Sequence, residues 1–138
     1  MKVQPGTQKH KEIFCREFLD THIPFDPANL EWPDLNEETI EKLKGFPIWD
    51  YAIFTETRVG LKLSAYAKIV EDPLIREAIE LQGYEEARHA DILRCFLKQY
   101  KIPFKELTQE PLEGDLEKSF MSTGAGECID SFFAFGFI

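Results

Sequence analysis

The chain has 138 residues, a length that suits one domain, and its 43% apolar content is enough for a sizeable core. With 16 basic against 25 acidic residues its formal charge is −9, which disfavours phosphate backbones and anionic membrane surfaces and favours cations. No apolar run approaches the ~20 residues of a bilayer span, and Cys15, Cys95 and Cys128 form no CxxC pair and follow no secretory signal. The expectation is a cytoplasmic protein with neither nucleic acid nor membrane as partner.

Residues 1–46 read as a helical N-terminal extension packed on a core of residues 47–138. A short amphipathic pattern, "QKHKEIFCREFLDTH", leads into the proline-rich connector "IPFDPANLEWPDL". Asn36 then caps a second short helix that Gly45 stops. His10 and His22, both in this extension, read as solvated or locally bonded.

A longer helix is predicted from Pro47, acceptable in a first turn, to Val70. Trp49, Ala52, Glu56, Val59, Leu63, Tyr66 and Val70 follow alternating steps of three and four, the signature of one buried seam. Only Glu56 breaks its apolar rule. Asp72 is a good N-cap for a third helix, with Pro73 in its first turn, reaching about Tyr100. Its seam, from Ile75 and Ile79 through Gln82, Glu86 and His89 to Leu93, Phe96 and Tyr100, is apolar at both ends and polar in the middle. The short connection makes the two helices antiparallel neighbours, so Glu56 and Glu86 fall near the middles of facing helices.

Residues 103–118 read as a polar loop long enough to carry the chain elsewhere. A last helix begins near Asp115 or Ser119, and its Gly124, Ala125 and Gly126 permit close approach of another helix. Phe120, Glu127 and Ala134 are seven apart, which puts Glu127 on one stripe with them. The fold class is all-α.

A carboxylate taken out of water without a partner costs several kcal/mol. Arg58, Lys62, Arg88 and Lys98 all lie off the counted seams, which leaves a metal ion as the strong candidate partner. Residues three apart share a helix face, so Glu86 and His89 can reach one ion, with Glu56 opposite and Glu127 approaching from the last helix. A carboxylate-rich site with one imidazole suits iron or manganese better than structural zinc. A local Glu86–His89 hydrogen bond is the plainer alternative, and it leaves Glu56 unexplained.

Glu56, then Glu86-Ala87-Arg88-His89, then Glu127, resemble the ferritin-like diiron-carboxylate superfamily, whose members include rubrerythrins, bacterioferritins and ribonucleotide reductase small subunits. The resemblance covers roughly residues 47–138. It implies a four-helix bundle with a dinuclear iron site, manganese being possible, and oxidoreduction of dioxygen or peroxide. It makes Glu56 a terminal ligand, Glu86 a bridging one, His89 the imidazole ligand and Glu127 the first ligand of a second half. That half's Glu-x-x-His does not occur in this chain. Either the chain is a shortened form of a longer protein, or a homodimer completes the site; the groove left by the missing helix favours self-association. Iron ferroxidation and storage is the alternative activity, and a non-catalytic interaction module is a third reading.

Three further residues are candidates around the ligands. Glu85 could orient a histidine across the site, though a role as partner for Arg88 is the simpler reading. Asp130 could add a ligand, and Gln82 could line a substrate cavity. Tyr66, Tyr84 and Tyr100 read as core, and Cys95 and Cys128 as small core residues.

Overall fold

The computed structural model describes residues 3–136, and of residues 128 and 130–136 the backbone alone. Its helices are α1 (Gln8–Asp20), α2 (Glu37–Lys44), α3 (Trp49–Ala67), α4 (Pro73–Gln99) and α5 (Leu116–Gly136), with a single 3-10 turn at Pro27–Asn29 and no strand among the described residues. The all-α expectation holds. Pro47 stands in a turn ahead of α3 instead of in its first turn. No described helix is long and apolar enough to cross a membrane.

The centre of the structure is the antiparallel hairpin of α3 and α4. Asp72 starts α4 as an N-cap, its carboxylate accepting from the backbone N–H groups of Leu74 and Ile75. Two apolar clusters hold the hairpin's ends. Ile53, Leu97, Tyr100 and Ile102 form one, wrapped by Trp32, Leu35 and residues of α2; Val59, Leu63, Ala67 and Ile79 form the other.

The buried seam differs from the predicted one in its details. On α3 the line runs through Ile53, Val59, Gly60, Leu63 and Ala67, with half-buried Glu56 beside it, and on α4 through Ile79, Gly83, Glu86, Ala90 and Leu97. Gln82 is only half-buried and His89 is exposed, so these two positions of the predicted α4 seam turn to its flank, while half-buried Phe96 packs against the Ile53–Leu97 cluster. The cause is a close crossing of the two backbones. A Cβ at Gly60 would sit 3.1 Å from the Gly83 carbonyl oxygen and 3.2 Å from the Ala87 nitrogen, and one at Gly83 would sit 2.9 Å from Ser64 Oγ. Helices this near present their small residues to each other and rotate the bulkier neighbours to the flanks.

Helix α1 lies on α4 and runs parallel to it. Lys11 pairs with Asp72 at the start of α4, and His22 Nδ1 lies 2.7 Å from Glu85 Oε1 further along. Arg88 anchors the chain beyond α1. It is buried, donates to the Ile23 carbonyl oxygen at 3.1 Å, pairs with Glu85, and lies 4.0 Å from the centre of the Phe25 ring. Arg88→Met keeps the apolar stem but strips Glu85 of its cation. It is expected to lower stability by about 2 kcal/mol and to speed protease cleavage within residues 21–25, both readable in one denaturation and digestion series.

From the end of α4 the chain returns along the flank of α3 as an extended strap. The Lys105 N–H donates to Asp50 Oδ1, Gln109 Nε2 donates to the Phe54 carbonyl oxygen, and Arg58 donates to the carbonyl oxygens of Glu110 and Pro111. The anchors on α3 are four residues apart and lie on one face. The strap therefore follows α3 in its own direction, toward the helix's C-terminal end, where α5 begins. Phe120 of α5 stacks on Tyr66 there, with ring centres 4.7 Å apart.

Candidate metal centre

Between the two apolar clusters the hairpin carries its polar middle. His89 Nδ1 lies 3.3 Å from Glu56 Oε2 and 3.3 Å from Glu86 Oε2. One donor atom from each residue falls within 4.8 Å of the others, and this is the group that could hold a metal ion among the described residues. Two donors each ~2.1 Å from one ion are separated by ~3.0–3.4 Å for ordinary bond angles. The two His89 contacts fall within that spacing and, in the absence of an ion, serve as long hydrogen bonds.

Exposure grades across the group. The side chain of Glu86 is 11% exposed, that of Glu56 32% and that of His89 50%. Glu86 is thus the fixed inner donor, held by the packed middle of α4, and His89 is the side open to exchange. The cations nearby are engaged elsewhere. Arg88 pairs with Glu85, Arg94 with Glu106 and Asp91, and Arg58 with the strap.

The electrostatics of the group follow from its crowding. The hydrogen bond to Glu56, and then that to Glu86, raise His89 from its ordinary 6.5 to about 10, with partial burial opposing them. Glu56 moves below its ordinary 4.5, chiefly through the same bond to His89. In the metal-free protein an imidazolium therefore sits between two carboxylates. Its contribution to stability is full below pH 6.5, where the unfolded chain's histidine is also protonated, and is lost as pH rises through about 10. Glu56 acts in the opposite sense, its share being present above 4.5 and lost in acid. The difference in urea midpoint between the wild type and His89→Gln is accordingly expected to be largest between pH 5 and 6.5 and to vanish near pH 10. Half-exposure of the ring limits its size.

Of the sequence candidates, Glu56, Glu86 and His89 are brought together. Glu127 is exposed on α5 and stands outside the group. Glu85 turns away from it, to Arg88 and His22, so the histidine it meets belongs to the chain beyond α1. The side chain of Asp130 lies outside the described residues, as does that of Cys128. Gln82 lines a groove beside Glu86. Tyr100 is core and donates to the Pro33 carbonyl oxygen, but Tyr84 is half-exposed, edge-on to His22. Two features escaped the sequence reading. One is Arg88 as a buried anchor, and the other is the Gly60–Gly83 crossing, whose only signal is a glycine in the middle of each helix.

No family model, curated protein or solved structure matches this chain.

Proposed function

We propose that Glu56, Glu86 and His89 bind iron or manganese, and that the chain is a ferritin-like oxidoreductase acting on dioxygen or peroxide. The observation that carries the proposal is the convergence of two carboxylates and one imidazole within 4.8 Å, at a spacing suited to a shared ion. A hard, oxygen-rich donor set with one nitrogen suits these metals. The topology supports the bundle class, since an antiparallel hairpin followed by one long crossover and a third helix is the connection ferritin-like folds use.

Iron or manganese held there would supply one-electron redox chemistry and open coordination positions for a small oxidant. The chain's own residues have separate tasks. His89 gives up the proton at Nδ1 to solvent through its exposed edge, which frees the nitrogen for the ion. Glu56, the more exposed carboxylate, can swing, while buried Glu86 keeps its place. A dinuclear site needs more donors than this group contains, and a two-fold homodimer supplies a second set.

A competing reading has an observation of its own. An imidazolium between two carboxylates is a self-sufficient ion cluster, and the hairpin then serves as an interaction module. Metal content decides between them. The chain is purified with iron and manganese supplied, both are quantified per chain, and mass in solution is measured. About one ion per chain in a dimer supports the shared site. A helical protein that takes up neither metal overturns the proposal and leaves the ion cluster.

A further inference from the structure

Beside the cluster lies a groove of about 1000 Å³ between α1 and α4, with Glu86, His89 and Gln82 in its wall. Phe14, Phe18, Ile75 and Ile79 line its length, and the Tyr66–Phe120 stack closes one flank. Because α1 runs parallel to α4, the groove follows α4 from Ile75 to His89, which is 14 residues (89 minus 75) or about 21 Å.

Two observations restrict what can fill it. The first is volume. At about 1000 Å³ the space lies at the upper end of small-molecule sites, which span about 300–1000 Å³. The second is charge. Lys11 is matched by Asp72, Arg88 by Glu85, and His89 by Glu56 and Glu86, while His22 also faces Glu85. A carboxylate or phosphate entering the groove meets no unmatched charge, and the unpartnered Nε of Arg88 is itself buried. An uncharged molecule needs none and gains from removal of apolar surface from water.

We propose that the groove binds an uncharged, apolar organic molecule carrying at most one hydroxyl or carbonyl group. Gln82, one turn before Glu86, is the group placed to hydrogen-bond that oxygen and hold the adjoining carbon chain beside the metal ligands. The role of this molecule as substrate rests on the metal reading above; its binding does not.

The test uses the full chain, metal-free, titrated with the neutral fluorescent probe N-phenyl-1-naphthylamine. Saturable binding is expected, with 1-decanol displacing the probe at concentrations at least tenfold lower than decanoate. Ala78→Trp, which fills the groove from α4, and Thr21→Trp, which fills it from the C-terminal end of α1, are each expected to weaken the probe at least tenfold. Metal uptake should remain unchanged in whichever of the two keeps wild-type helicity. No saturable binding, equal displacement by decanoate, or full affinity in both variants overturns the inference. So does probe binding that disappears as the chain dimerises, because a second copy then fills the groove. Metal uptake without probe binding removes the groove inference alone, and probe binding without metal uptake removes the proposed function alone.

Discussion

Glu86→Ala is expected to weaken iron or manganese binding by about 100-fold or more, since loss of groups merely supporting a ligand already costs ~10–100-fold. The same change is expected to leave the metal-free protein within about 1 kcal/mol of wild type. The two effects part because a carboxylate that is only 11% exposed has been taken out of water. Deleting it removes that desolvation cost, while the exposed His89 keeps Glu56 as its partner. His89→Ala should lose metal equally. Isothermal titration with ferrous or manganous ion, paired with urea denaturation of the same samples, reads both quantities. A fall of several kcal/mol in the metal-free Glu86→Ala protein would mean that this carboxylate serves the fold first.

The second large effect is expected at the helix crossing. Gly60→Val places branched carbons where even one Cβ would sit 3.1 Å and 3.2 Å from backbone atoms of α4. Backbone on a packed helix cannot rotate aside, so the helices must separate. Overpacking of this kind costs about 3 kcal/mol, which lowers the melting temperature by roughly 10 °C in a chain of this size. Glu56 stands one turn from Gly60, so separation also draws it from Glu86 and His89 and should reduce metal affinity. Gly83→Ala is the milder comparison because it adds a single carbon: the Ser64 hydroxyl at 2.9 Å can turn away, leaving the backbone atoms of Ser64 and Gly60 at 3.2 Å and 3.3 Å to be accommodated. An unchanged melting curve for Gly60→Val would show slack at the crossing.

Helix number and order were legible because capping residues and seams mark them. Asn36 and Asp72 cap where their residue types indicate, and the apolar ends of the α3 and α4 seams drive their pairing. The polar middle was legible for the same reason, since Glu56 and Glu86 interrupt otherwise apolar lines. The rotation of each helix was not. Counting bulky residues put Gln82 and His89 on the α4 seam and left out Gly83, Ala90 and Leu97, which are buried there. A glycine scores as a weak helix former in a sequence and acts as a contact surface in a structure, so periodicity found Ile79, Glu86 and Tyr100 but missed the small residues between them. Arg88's role as an anchor was unreadable on similar grounds: Glu85 lies three residues away, but Ile23 is 65 positions distant and Phe25 63 (88 minus 25).

The ligand atoms' position within one hairpin bears on how the protein reaches its native state. Glu56 and His89 are separated by 33 residues of chain, and the helices that carry them touch each other far more than either touches α1 or α5. Contacts of short sequence separation form early, since little loop entropy opposes them. The α3–α4 pair is therefore the expected folding nucleus, with α1 and the strap docking afterwards. The Glu56–Glu86–His89 group is assembled in that first step, so if the group takes up a metal, the ion would capture the hairpin before the outer helices dock.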